Sequence, residues 1–135
     1  MEDVKNALWT LLKSDATLQN QLGGAEGDRR IYVWYPESEI KLSDSKPAFI
    51  TFYQVSVITH IDLEAVQYAI DIWSEDEGLC EQIFATVDGL LHYKELTCAN
   101  HWNLLTRRVS VGDAGRTEDG KYVKSLVYEL EVTAK

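Results

Sequence analysis

Three histidines, two cysteines and one acidic loop are the residues of this chain whose chemistry could go beyond packing. His60, His92 and His101 would be zinc ligands or general bases if they converged. None stands in HxxxH or HExxH spacing, and a zinc site usually announces itself through several close ligands. They read as surface or strand-end histidines. Asp113, Glu118 and Asp119 alternate with Gly112, Gly115 and Gly120, and carboxylates with glycines are the habitual materials of a calcium loop. The spacing departs from DxDxDG, however, and Arg116 puts a cation among the would-be ligands. A solvated hairpin tip is the simpler reading. There is no GxxxxGK, no GxGxxG after a strand and no GxSxG, for which Ser110-Val111-Gly112 does not substitute. Catalysis needs a base beside a nucleophile or a pair of carboxylates with split pKa values. The sequence assembles neither. No catalytic residue, cofactor or metal ligand is assigned, and the chain reads as a non-enzyme.

Cys80 and Cys98 lack CxxC spacing, which favours reduced thiols in a cytosolic setting. Cys80 falls on the apolar side of a helical pattern, where it packs as a small hydrophobe. Four tryptophans and seven tyrosines stand out, and in strands such residues usually fill core and cross-strand positions. Trp34, Tyr35 and Trp73 sit at strand ends, where an aromatic either fills a core or anchors a partner, and both readings stand. Ile40 and Leu42 are the apolar residues of an otherwise polar stretch, 37–46, which is long for a simple connection and so an interaction candidate. With Asp113, Arg116, Glu118 and Asp119 of the acidic loop, these residues make up the candidate interface.

Charge narrows the partners further. The 135 residues carry 13 basic and 22 acidic side chains, for a net charge of −9. Such a surface repels phosphate backbones, and the adjacent basic pairs, Arg29-Arg30 and Arg107-Arg108, both have acidic residues nearby. Direct nucleic-acid recognition is disfavoured. No apolar run approaches the ~18 residues of a membrane span, and Glu2, Asp3 and Lys5 interrupt the opening apolar pattern, so a soluble protein without a secretory leader is expected.

The elements that would position these residues follow from periodicity. Val4, Ala7, Leu8, Leu11 and Leu12 fall at helical spacing, with Glu2 and Asp3 at the positive end of the helix. Ser14 or Asp15 can cap a second short helix through Leu18 and Leu22, which Gly23-Gly24 stops, and residues 23–29 read as a polar, mobile connector. Residues 30–34 read as a short strand ended by Pro36. Residues 48–59 and 65–73 alternate and are joined by the turn 60–64, an antiparallel pair apolar on both faces in its inner half. Ser74 and Glu77 fit a capping box, followed by Leu79, Ile83, Val87, Leu90 and Leu91 at helical spacing, with Gly89 as a site of close packing on the sheet. Two strands, 102–111 and 121–133, close the chain, and the loop 112–120 between them reads as a flexible projecting arm. The expectation is one domain, 1–135, of α+β class. Its mixed, mainly antiparallel sheet of about five strands packs against an N-terminal helix pair and one longer central helix.

This order resembles a known family. Leu8, Leu11-Leu12 and Asp15-Ala16 in the opening helices carry the likeness, as do Ile31-Tyr32-Val33 before Pro36 and Pro47-Ala48-Phe49-Ile50-Thr51-Phe52. Ala69-Ile70-Asp71-Ile72-Trp73-Ser74 continues it, with Ile83, Val87 and Leu90-Leu91. Arg107 to Val109, Asp119-Gly120 and Tyr128-Glu129-Leu130-Glu131-Val132 complete it. The chain is similar to the tail-completion proteins of long-tailed bacteriophages, which include tail terminators and tail-to-head joining proteins. An aromatic residue often follows the proline directly in that family, whereas Ala48 intervenes here. The resemblance implies a virion protein at the head–tail junction, assembled in the host cytoplasm as a hexameric ring on the last ring of the tail tube. Its implied partners are its own copies, the tail-tube protein and the head–tail connector, with genomic DNA passing through without specific binding and no membrane involved. A small cytoplasmic protein- or ligand-binding module without catalytic activity is the alternative.

Overall fold

The first helix is dictated by its apolar spacing and by its acidic start. In the computed structural model, which describes residues 2–24, 30–34 and 40–135, helix α1 spans Glu2–Ser14 and buries Val4, Leu8 and Leu12. Of the two candidate caps for α2, Ala16–Leu22, Asp15 takes the role, its carboxylate accepting from the Leu18 N–H at 2.9 Å. Gly23 closes α2 in the left-handed conformation, φ 76°. The connector expected over 23–29 lies, beyond Gly24, outside the described residues, as do Tyr35, Pro36 and 37–39.

Strand β1, Ile31–Val33, is shorter than the expected 30–34, because Arg30 and Trp34 on either side take positive φ, 52° and 62°. Arg30 is buried and spends its guanidinium on the carbonyls of Ala48 and Lys46, at 3.2 and 3.1 Å. Strands β2, Ala48–Thr59, and β3, Glu64–Ser74, form the expected hairpin, with a bulge between Gln54 and Ser56. Helix α3 spans Glu77–Leu91, and strands β4, His101–Arg116, and β5, Tyr122–Ala134, complete the chain. The sheet order is β1-β2-β3-β5-β4, antiparallel throughout except for the parallel pair β1–β2. The fold is α+β, as the residue pattern indicated.

Helices α1, α2 and α3 pack on the same side of the sheet. Ile50 and Phe52 of β2, Val66, Tyr68, Ile70 and Ile72 of β3, and Leu126, Tyr128, Leu130 and Val132 of β5 meet Leu8, Leu12, Leu18, Leu22, Ile83, Val87 and Leu91 in one core. Polar ties fix the layers at the edge of that core. The Tyr128 hydroxyl donates to Asp88 at 2.8 Å, and Asp88 pairs with Arg108 at 2.7 Å, joining β5, α3 and β4. Burial, with the neighbouring Asp88 carboxylate, pushes the Tyr128 hydroxyl well above the ordinary phenol range. Lys124, buried on β5, is held by Glu81 of α3 at 2.7 Å and Asp113 of β4 at 3.2 Å.

Three local expectations are corrected. Asp76, not Ser74, is the N-cap of α3, its carboxylate accepting from the Leu79 N–H at 3.2 Å. Ser74 still pairs with Ala48 as the last residue of β3, and its hydroxyl donates to the Pro47 carbonyl at 2.8 Å, pinning the corner where β2 begins. Gly89 is exposed, and a Cβ there would meet nothing within 4 Å, so it packs on no sheet. The supposed arm 112–120 is mostly strand: β4 pairs with β5 as far as Arg116–Tyr122, and the turn is closed by Gly120 N–H to Thr117 at 3.0 Å and Thr117 N–H to Lys121 at 2.8 Å. Its glycines serve a bulge and a tight turn instead of a mobile loop: Gly115 sits at the register shift after Asp113 with φ 87°, and Gly120 in the turn with φ 89°.

Candidate assembly surfaces

Residues that alternate with the core of β2, β3 and β5 point to the face opposite helices α1, α2 and α3. There the aromatic residues gather at one end. The rings of Phe49 and Trp73 stack at 5.6 Å, Tyr32 meets Phe49 edge-on at 6.3 Å, and Trp34 stacks on Tyr53 at 5.0 Å. The Trp73 indole N–H donates to the Thr51 hydroxyl at 2.9 Å. Phe49 is wholly buried and Trp73 half-buried, whereas Trp34 is 59% exposed although it stacks, so this patch grades from a small second core to an open aromatic. The structure thus joins two of the candidate interface residues, Trp34 and Trp73, on one face. Tyr35 lies outside the described residues.

A polar row crosses the same face over four strands. The Ser56 hydroxyl donates to Gln67 at 3.1 Å, the Gln67 amide donates to Glu129 at 3.2 Å, and Arg107 donates to Glu129 through Nε and Nη2 at 3.2 and 2.8 Å. The Arg107 bonds hold the buried Glu129 carboxyl below the ordinary glutamate range. Two rows closer to the aromatic end, the Ser125 hydroxyl donates to Asp71. Burial pushes the Asp71 carboxyl up, only partly offset by that bond, and the Asp71 charge in turn raises the Tyr53 hydroxyl. Charges so paired serve the sheet itself.

The other candidate residues separate. Ile40 is buried, 8% exposed, and Leu42 is half-buried beside a shallow depression that also takes in Pro47 and Ser74. At the β4–β5 tip the charges turn inward on the hairpin. Asp113 binds Lys124, Arg116 donates to the Gly120 carbonyl at 3.2 Å and lies over the Tyr122 ring, and Asp119 pairs with Lys121 at 2.6 Å and accepts from the Thr117 hydroxyl. The Lys121 bond holds Asp119 below the ordinary aspartate range. Glu118 is exposed at the turn.

Two histidines and both cysteines are structural, while His60 is exposed in the β2–β3 turn. His101 binds Asp3 at 2.8 Å, fastening α1 to the start of β4, and the His92 ring accepts the Arg108 backbone N–H at 2.9 Å. Burial pushes the Cys80 thiol up to about 11, and Cys98 is raised for the same reason. Among the described residues no group of three or more His, Cys, Asp or Glu side chains could hold a metal ion, and no helix is long and apolar enough to cross a membrane.

Sequence reasoning missed the apolar β2–β3 tip and the strand edges. Ile61 is fully exposed, Ile58 is 47% exposed and Leu63 is 36% exposed, while Leu104, Val109 and Val111 are exposed along β4. The only signal was alternation continuing past the length that the helices cover, and alternation does not say which end of a strand is left bare.

No known protein family matches the sequence, and no curated protein matches it. Solved structures do share the fold. A chain of the virion of a native gene transfer agent particle superposes with a TM-score of 0.78 at 12% identity, covering 98% of this chain and 96% of that chain. A second solved chain, which carries no functional name, superposes with a TM-score of 0.57 at 13% identity, covering 96% of this chain and 94% of that one. At such identities the likeness is one of fold.

Proposed function

We propose that this chain is a structural protein of a phage-like virion, and more narrowly that six copies form the ring that completes the tail tube and joins it to the head connector. The reading is carried by the fold shared over nearly the whole of both chains with a protein of the gene transfer agent virion. The resemblance of the sequence to tail-completion proteins supports the narrower role. The surfaces suit it physically. A ring requires each copy to present two different faces to its neighbours, and this sheet ends in two dissimilar edges. The bare aromatic patch around Trp34 and the apolar β2–β3 tip supply contacts of the kind that anchor protein partners. A net charge of −9 per copy lets DNA pass without adhering. On this reading the protein is not an enzyme and acts by assembly alone.

The test is removal of the gene from a particle that carries it, followed by electron microscopy of the lysate. The expected result is tails of uncontrolled length and heads without tails, both restored by the protein supplied in trans, and a ring of six on purified tail tubes. Tails of normal length joined to heads without the protein would refute the role.

A further inference from the structure

Strand direction alternates from β2 through β3 and β5 to β4, so β4 runs antiparallel to β2. A second copy set edge to edge in the same orientation therefore lays its β2 antiparallel to the first copy's β4, the better-bonded of the two arrangements. Each of these outer strands is covered over only part of its length. β1 pairs with Ile50, Thr51 and Phe52, and the Trp34 N–H ends that cover on the Phe52 carbonyl at 2.9 Å. On β4, Trp102 bridges to Thr97, Thr106 exchanges bonds with Tyr93 and Lys94 at 2.7 and 3.1 Å, and the Arg108 N–H ends on His92. Asn103 locks that covering segment, accepting from the Leu96 N–H at 2.7 Å. Among the described residues no strand pairs with the outer side of β2 past Phe52 or of β4 past Arg108.

The two bare stretches match each other. Both open on the same tripeptide, Val55-Ser56-Val57 and Val109-Ser110-Val111, and both skip register at its first valine. All four valines are exposed, the β2 stretch carries no charged residue, and the charges of the β4 stretch are taken up within the hairpin, Asp113 by Lys124 and Arg116 by the Gly120 carbonyl. β-Branched residues facing one another are favourable cross-strand pairs. Because the two stretches lie on opposite edges of one sheet, a single copy holds both halves of a head-to-tail contact, which a foreign strand on one edge would not complete.

We propose that copies of this chain join by antiparallel pairing of residues 109–113 of β4 in one copy with residues 55–59 of β2 in the next. The pairing rests on the ring reading and names its contact. The register places Phe52 level with Val111 and Val57 level with Thr106 across the sheet. Because one residue of each interval is a bulge, Val57 lies four ladder rungs from Phe52, as Thr106 does from Val111. Bringing Val57 of the neighbour opposite Val111 therefore shifts the neighbour along the strand by about 14 Å at ~3.4 Å per rung. A stagger of this kind is what tilted strands need in order to close around an axis.

The test uses Val57→Lys and Val111→Lys, each on an exposed side chain, with sedimentation velocity at concentrations, or on tail tubes, where the unaltered protein assembles. Each variant alone is expected to remain monomeric with an unchanged unfolding curve. Their equimolar mixture is expected to stop at dimers, because the first variant still offers an intact β4 and the second an intact β2. Assembly of both variants like the unaltered protein overturns the pairing and leaves the ring reading standing. Assembly of Val111→Lys alone overturns it in favour of a symmetric β2 contact. An unaltered protein that is monomeric at every concentration and never caps tubes overturns both readings. If a lysine variant fails to fold, Val57→Cys combined with Val111→Cys replaces it: oxidised assemblies should show chains linked in series, and assemblies without any link between copies overturn the pairing.

Discussion

Two glycines that look alike in the sequence should respond to alanine in opposite directions. Gly23 closes α2 at φ 76°, and a Cβ built there would lie 2.1 Å from the Ser45 carbonyl oxygen and 2.9 Å from both Lys46 Cα and Pro47 Cδ. Those atoms are backbone and a proline ring, which no rotamer change moves aside. The left-handed conformation costs a residue with a Cβ about 1–2 kcal/mol, and forcing atoms into filled space adds about 1–3 kcal/mol. Gly23→Ala should therefore lose about 2–5 kcal/mol, a large share of the ~5–15 kcal/mol that holds a domain folded. Gly89 is the internal control. It is helical and exposed with nothing within 4 Å, so Gly89→Ala should gain about 1 kcal/mol from helix propensity. Equilibrium urea unfolding at constant m should show the first midpoint lowered by roughly 1–2 M and the second slightly raised. A Gly23→Ala protein within about 0.5 kcal/mol of the unaltered one, or a destabilised Gly89→Ala protein, would refute the close approach of the α2 cap to the start of β2.

Further predictions concern charge and the aromatic patch. Glu129 is held below its ordinary range by Arg107, and Asp3 likewise, where bonds from His101 and Asn100 outweigh burial. A depressed carboxyl contributes stability above its unfolded value and loses it as pH falls through the folded one, so Tm should hold from pH ~7 to ~5 and drop below about 4.5. Glu129→Gln should lower Tm at neutral pH and flatten the acid limb, and an unchanged limb would count against the Arg107 bond. Asp71 has the opposite sign, its carboxyl raised by burial. Asp71→Asn, which can still accept from Ser125, should raise Tm at pH 7 by a few degrees, the scale of ~1 kcal/mol in a domain this size. That gain should shrink in acid as the native carboxyl protonates, and differential scanning calorimetry across pH reads both trends. Trp34→Ala should cost only about 0.5–1.5 kcal/mol of stacking on Tyr53. It should nevertheless weaken capping of tail tubes well beyond that, and capping at the unaltered level would remove Trp34 from the interface.

What the residues decided alone is local and periodic. Apolar spacing in α1 and α3, alternation in β2 and β3, and the glycine after Leu22 each act through neighbours a few positions away, so the elements and the α+β class were legible. The single parallel pair was not, because pairing direction depends on how the chain crosses from Val33 back to Ala48, and periodicity carries no information about that path. Ser74 and Asp76 were both fit to cap α3; the sheet chose between them by keeping Ser74 in β3. The three glycines of 112–120 suggested a loose arm from composition, and only pairing with residues 122–125 made it strand. Ile40 stands in a polar stretch that gives no sign of its burial. The same limit governs the surfaces. The free backbone edges beside Val57 and Val111 follow from which halves of β2 and β4 are covered by β1 and residues 92–97, a long-range fact that only the assembled sheet contains.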